Sequence, residues 1–178
     1  TPKQLAVARK HQDAYASTIG YANMSFIQGT IENLEAIPSD SIDIIISNCV
    51  VNLSPDKPAV LREAYRVLRN GGEFYFSDVY GDRRLPKALT QHKILVGECI
   101  GGALYEQDFL RIARRVGFED PRVLDSAPID VKDPQLIELV GEAKFTSVTY
   151  RLFKLPGLLE SLCEDYGQVA VYKGTVPG

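Results

Sequence analysis

Two cysteines carry the chemistry that this sequence offers. Cys49 stands at the end of an apolar run, Ile44-Ile45-Ile46-Ser47-Asn48-Cys49-Val50-Val51-Asn52-Leu53. Cys99 stands in a glycine-rich stretch, Gly97-Glu98-Cys99-Ile100-Gly101-Gly102-Ala103-Leu104. Neither spacing is that of a zinc site. A thiol pair in a chain without a disulfide pattern points to soft-ligand chemistry, in which thiolates hold a soft, thiophilic centre. Each cysteine also has a plainer reading as a small buried hydrophobe. Cys49 lies past the apolar run and beside Asn48, which argues against that reading. The glycines around Cys99 let backbone approach a ligand closely. Cys163, in a helical-looking surface segment, reads as an incidental thiol. His11 lies on the polar face of a helix and has no role. His92 is a candidate base, with a satisfied structural histidine the favoured reading. Among the carboxylates, Glu73, Asp78 and Glu98 are candidates for hydrogen bonding a ligand. None forms an acid/base pair at recognisable spacing.

The elements that must position these residues follow from periodicity. Thr1 with Gln4 forms a capping box, Pro2 suits the first helical position, and residues 2–17 read as a helix ended by Gly20. A chain that opens on a helix cap, without an initiator methionine, reads as the back part of a larger protein. Ser25–Gly29 is a short strand. Residues 41–48 carry Ile42-Asp43-Ile44-Ile45-Ile46, an apolar run on both faces, which is the pattern of a central parallel strand covered by helices. Ser54-Pro55-Asp56 caps a helix over 58–69, with Val60, Leu61, Ala64, Val67 and Leu68 at helical spacing and Asn70-Gly71-Gly72 as its end. Residues 73–79 form the next strand. Strand, helix and strand in that order imply a right-handed parallel crossover in an α/β sheet. A loop and a helix near 86–98 follow, then a helix over 106–116. Strands are expected at 121–124, 145–153 and 168–173, with a short helix at 134–141.

In open α/β sheets ligands bind beyond the carboxyl ends of the parallel strands. That rule gathers three loops: residues 29–32, 48–50 and 77–80.

Bulk properties narrow the function classes. The chain has 178 residues, 45% apolar and 24% charged, enough for one domain with a substantial core. A net charge of −3 without a basic cluster argues against nucleic acid as a partner. No apolar stretch is long enough to span a membrane. Three cysteines, an odd number, argue against a disulfide framework and for a reducing cytoplasm.

Four blocks taken together resemble the arsenite methyltransferases. They are Ser47-Asn48-Cys49-Val50-Val51-Asn52-Leu53-Ser54-Pro55-Asp56-Lys57, Glu63-Ala64-Tyr65-Arg66-Val67-Leu68, the run from Gly71 to Tyr80, and the run from Gly97 to Tyr105. The Arg-Val-Leu and Gly-Gly features are shared by many class I methyltransferases, whereas the two cysteine blocks together are far more specific. The resemblance extends from about Thr1 to Phe153, and weakly to the C-terminus. It implies a Rossmann-like class I methyltransferase fold with S-adenosylmethionine across the strand ends and antiparallel strands at the C-terminal side. It implies thiolates of Cys49 and Cys99 holding As(III), both as ligands and as the catalytic pair. Thr30, Ile31 and Glu32 fall on the adenine side of the cofactor, and Asn48 and Val50 on its methionine side. Asp78 and Glu98 would support the site. The substrates would be trivalent arsenicals presented as thiol conjugates, with a thiol reductant, and the protein a cytoplasmic monomer. Residues 1–120 would be the later part of the Rossmann-like core, with a substrate-binding insert over about 83–105. Residues 121–178 would complete the sheet and cover the substrate site. The family's Gly-rich cofactor loop, its ribose-binding acidic residue and a further cysteine lie upstream of the matched region. The chain as given is therefore expected to bind S-adenosylmethionine poorly or not at all, and to be inactive as an isolated piece. Two rivals stand beside this reading: a methyltransferase of the same fold with a small organic acceptor and structural cysteines, and a non-catalytic metalloid-binding module.

Overall fold

The computed structural model describes residues 1–90, 92, 94, 95, 99–159, 167, 169 and 171. Glu98, Cys163 and most of the strand expected at 168–173 lie outside them.

Helix α1 spans Pro2–Ile19, and its N-terminus carries the expected capping box of Thr1 and Gln4. It ends at Gly20, whose φ of 83° is left-handed. The helix buries none of its residues. It is fastened through side chains to the segment after it: the Arg9 guanidinium donates to the Phe26 carbonyl at 3.1 Å, and Gln12 Nε2 to the Met24 carbonyl at 2.7 Å. That segment corrects the expected strand at Ser25–Gly29. It runs without strand structure, because no strand among the described residues lies beside it to complete a ladder.

Strands β1 (Ile42–Asn48), β2 (Leu68–Gly81), β3 (Leu104–Tyr105), β4 (Arg122–Ile129) and β5 (Phe145–Phe153) form one mixed sheet. Its order is β1-β2-β5-β4, with β3 beside the far end of β2. β1 and β3 run parallel to β2, while β5 is antiparallel to both β2 and β4. β4 extends past the expected 121–124. Helix α2 (Lys57–Val67) makes the crossover from β1 to β2, as its pattern predicts. Asp56 caps it by accepting from the Ala59 amide at 2.9 Å, and Val60, Leu61, Ala64 and Val67 are its buried stripe.

The pair Gly71-Gly72 is not the end of α2. The helix stops at Leu68 and passes directly into β2. Gly72 serves a close backbone approach instead. A Cβ there would lie 2.9–3.0 Å from the carbonyl oxygens of Arg69, Asp43 and Ile42.

Helix α3 spans Lys87–Thr90, and Ile94 and Leu95 are helical as well, with His92 between them outside any helix; of the helix expected near 86–98, residues 91, 93 and 96–98 lie outside the described set. Helix α4 spans Glu106–Val116 and α5 spans Pro134–Val140. α2 and α4 cover one face of the sheet. Between them and the sheet lie Leu61, Leu68, Phe76, Phe109, Phe118, Tyr150 and Leu152. The Phe76 ring meets Phe109 edge-on at 5.7 Å, and Phe109 lies 4.8 Å from Tyr150. The Tyr150 hydroxyl donates to Glu106 Oε1 at 2.6 Å, which satisfies the one polar atom of that ring. Lys154 is buried at 7% exposure and is satisfied by Asp40 Oδ1 and the Leu68 carbonyl, each at 2.7 Å, and by the Tyr65 ring.

The opposite face corrects the expectation that β1 is covered on both sides. Ile44 and Ile46 are 58% and 77% exposed, while Ile42 and Ile45 pack on the core. Ile44, Ile46, Tyr75 and Leu124 line a shallow depression crossed by a bidentate Arg151–Glu73 pair at 2.6 and 2.8 Å. The isoleucine run is a signal for two-sided burial, and β1 is an edge strand with one neighbour among the described residues. A second, smaller core of Val79, Leu95, Ile100, Ala103, Leu136, Val140 and Phe145 supports the segment that carries Cys99.

Candidate thiol site

The parallel strands β1 and β2 end together, and the candidate residues collect at that end. The ladder continues one step past Asn48, with the Cys49 amide donating to the Ser77 carbonyl at 2.9 Å. The chain then turns through a single 3-10 turn, Val51–Leu53, and the cap that starts α2. Cys49 is exposed and Cys99 is half-buried, and both are thiols rather than halves of a disulfide. The Cys49 thiol donates to Asn48 Oδ1 at 3.3 Å, and the Cys99 thiol to the Cys49 carbonyl at 3.8 Å. The structure thus brings together two residues 50 positions apart in the chain.

Their backbone is unusual. Among the described residues, three other than glycine have a positive φ: Asp40 at 55°, Cys49 at 54° and Cys99 at 62°. The left-handed region costs an L-residue with a side chain roughly 1–2 kcal/mol, and cysteine lacks the local hydrogen bonding that admits Asn and Asp there. Strain of this kind persists where the surrounding structure imposes it, and it gathers at functional sites. Cys49→Gly is therefore expected to be more stable than Cys49→Ala by about 1 kcal/mol, because both remove the thiol and only glycine is relaxed at that φ. Thermal melts of the two variants check this, and equal midpoints would mean that no strain is stored there.

Beneath the thiols lies a buried polar knot that sequence reasoning recognised only in part. Asp78 is 1% exposed, and its two oxygens accept from different amides, Oδ2 from Asn52 and Oδ1 from Val79, each at 2.9 Å. Burial raises the Asp78 carboxyl above the ordinary carboxylate range, against the pull of those amides and of Lys57. Burial in turn lowers the Lys57 ammonium, against the attraction of Asp78. Asn52, 4% exposed, donates through Nδ2 to the Val79 carbonyl at 2.6 Å and to the Cys99 carbonyl at 3.4 Å. Nothing in the spacing of Asn52 marks it out. Its only signal in the sequence is a second amide side chain four residues after Asn48.

The other candidates fall around this knot. Asn48 and Val50 are exposed at the end of β1. Thr30 pairs with Asn33 in an isolated bridge, and Ile31 packs on the main core. Glu32 accepts from Ser54 Oγ at 2.5 Å, and this bond holds its carboxyl below the usual range. That bond fastens the Thr30–Glu32 segment to the loop that follows Cys49. His92 keeps a buried Nδ1 with no hydrogen-bond partner among the described residues. No group of three or more metal-ligating side chains occurs among the described residues. No helix among them is long and apolar enough to cross a membrane.

Several known proteins are similar to this chain in sequence and fold. An arsenite methyltransferase of Aquipseudomonas alcaligenes is 57% identical over the whole chain, which spans 52% of that protein. The human arsenite methyltransferase is 46% identical over 86% of the chain and 42% of its own length. The chain thus spans about half the length of the curated relatives it matches. The crystal structure of an arsenic(III) S-adenosylmethionine methyltransferase from Chlamydomonas reinhardtii superposes with a TM-score of 0.90 at 60% identity, over 99% of this chain and 60% of that one. The YcgJ protein from Bacillus, 17% identical with a TM-score of 0.64 over 88% of this chain and 80% of its own, shares the fold. The sheet and its crossover are thus those of class I methyltransferases, as the resemblance implied. A family model for a methyltransferase domain matches residues 1–117, and the chain belongs to the methyltransferase domain family.

Proposed function

We propose that this chain is the arsenic-binding part of an S-adenosylmethionine-dependent arsenite methyltransferase, with Cys49 and Cys99 as its As(III) ligands. The observation that carries the reading is the pair of cysteines brought together at the end of the parallel strands, each on a left-handed backbone, with the Cys99 thiol donating to the Cys49 carbonyl. The similarity to arsenite methyltransferases over the whole chain supports it.

As(III) is the substrate, and its thiophilicity suits thiolate donors. Two thiolates on rigid backbone hold the arsenic with its lone pair unshared. When bound, S-adenosylmethionine supplies an electrophilic methyl group. Asn48 and Val50, exposed beside Cys49, and the Thr30–Glu32 segment fastened by Glu32 to Ser54 are the residues offered to that cofactor. Asn48, an exposed polar group at the end of a parallel strand, and Thr30, an exposed hydroxyl on the segment tied to the loop after Cys49, suit a polar cofactor, so they fit this share of the site. The arsenic lone pair is itself the nucleophile. The site therefore works by positioning and by excluding water, and no general base is required. The segment 83–105 acts as the substrate-binding insert, since it delivers Cys99, and residues from 121 onward complete the sheet beside it. The arsenic is presented as a thiol conjugate, the Cys49 and Cys99 thiols displace its donor thiolates, which leave carrying the cysteine protons, and a thiol reductant keeps the two cysteines reduced between turnovers. The protein acts as a cytoplasmic monomer.

The test is As(III) binding under reducing conditions. One As(III) per chain is expected, with loss of binding in both Cys49→Ser and Cys99→Ser. Binding that survives both changes would return the cysteines to a structural role and favour a methyltransferase with a small organic acceptor.

A further inference from the structure

We propose that Asn52 is a positioning residue that sets the separation of the two thiols. The proposal deepens the arsenic reading and rests on it for its purpose, although its geometry stands by itself. The two cysteines sit on segments that share no element. One follows β1, and the other precedes β3 on the smaller core. Asn52 is where the two segments are joined. Its backbone amide is held by Asp78 Oδ2 at 2.9 Å, which fixes the turn just after Cys49 to the end of β2. Its side-chain amide then reaches two carbonyls, that of Val79 at 2.6 Å and that of Cys99 at 3.4 Å. The second bond grips the residue that bears the thiol. Gly102 closes the same contact from the other side, for a Cβ there would lie 1.9 Å from the Asn52 carbonyl oxygen.

The chemistry of the residue fits the task. A side-chain amide offers two N–H donors from one nitrogen, so a single group can bind two carbonyls on two segments. A carboxylate in its place would face those carbonyls without a proton to give. Asn52 does not reach the substrate and acts only through Cys99. Buried at 4% exposure, it is shielded from the water that would otherwise compete for those carbonyls.

The experiment reads thiol proximity without arsenic. Dibromobimane fluoresces only when both of its arms have been alkylated, so its signal reports two thiols held close together. It is applied to the full chain in a Cys163→Ser background, which leaves Cys49 and Cys99. Monobromobimane reports the reactivity of each thiol separately. The starting protein is expected to cross-link readily. Asn52→Ala is expected to lower the ratio of cross-linking to single alkylation by roughly ten-fold, since effective concentration falls steeply once two groups are no longer held in register. Asn52→Ser, which keeps one hydroxyl donor, is expected to fall between. Phe118→Leu, in the main core away from the thiols, is the control for stability alone. It should lower the melting midpoint and leave the ratio unchanged, with all ratios taken well below each midpoint. An unchanged ratio in a folded Asn52→Ala variant would overturn the proposal, as would a starting protein that does not cross-link. Should Asn52→Ala not fold, the Asn52→Ser ratio decides, and a value equal to that of the starting protein overturns it. If cross-linking follows Asn52 as stated while As(III) does not bind, the positioning role stands and the arsenic reading fails.

Discussion

Gly102→Ala is expected to lower the stability of the chain by about 3 kcal/mol or more and to release the Cys99 segment from its seat. The added methyl would fall 1.9 Å from the Asn52 carbonyl oxygen and 2.8 Å from its carbonyl carbon. Those are backbone atoms fixed by the Asp78 bond, so no flexible side chain can swing aside. Overpacking in a well-packed core costs about 1–3 kcal/mol and more where the neighbour cannot move. In a domain of this size each 1 kcal/mol is worth about 2–4 °C in the melting midpoint, so the drop should be roughly 6–12 °C. Gly20→Ala makes the useful comparison. Gly20 has a φ of 83°, but its Cβ position is open space. Its cost is the conformational one alone, about 1 kcal/mol. If the two substitutions melt together, Gly102 is not closing the contact described. The As(III) binding proposed above should be lost in Gly102→Ala even though both thiols remain, and retained in Gly20→Ala.

The second large effect is expected at Asp78. Asp78→Ala removes the acceptor of the Asn52 and Val79 amides and leaves both donors buried. An unsatisfied buried donor costs about 1–3 kcal/mol, so for two donors the loss should be roughly 2–6 kcal/mol before any cavity is counted. Asp78→Asn keeps the volume and one acceptor, and its penalty should depend on pH in a definite sense. Burial raises the folded-state carboxyl above its unfolded value. The favourable contribution of the protonated group is then full below the unfolded value, near 3.8, and is lost as pH rises through the raised folded value. Asparagine does not titrate. The stability gap between the native chain and Asp78→Asn should therefore be widest at the acid end and should narrow toward neutrality. Chemical denaturation at several pH values between about 3.5 and 7 measures the gap. A gap that widens as pH rises would show that the carboxyl is stabilised in its charged form.

Local order was legible where a residue's own pattern decides the outcome. Helix α2 is one such case. Its stripe of Val60, Leu61, Ala64 and Val67 and its Asp56 cap are set by sequence neighbours, and the helix forms where they place it. The capping box of Thr1 and Gln4 is another. What failed depends on the company an element keeps. Ser25–Gly29 has the composition of a strand but no partner strand among the described residues. The isoleucines of β1 fit two covered faces, and one face here is open. Gly71-Gly72 resembles a helix end because glycine favours both turns and close backbone contact, and sequence alone does not separate the two. The same division runs through the candidate site. Cys49, Cys99 and Asp78 stand out by residue type and by the blocks around them. The role of Asn52 is defined by Asp78, Val79 and Cys99, the last 47 positions away, and no local pattern announces a partner at that distance.

The backbone of the two cysteines also bears on how sequences of this fold change over time. At most buried cysteines the easy replacements are serine and alanine, which match its size. At Cys49 and Cys99, with φ of 54° and 62°, those replacements keep the cost of the left-handed conformation and give up the thiol that justifies it. Glycine and asparagine remove most of that cost. A lineage released from the demand for a soft ligand is therefore expected to drift to Gly or Asn at these two positions. Retained cysteine at both would then mark continued selection for the thiols themselves.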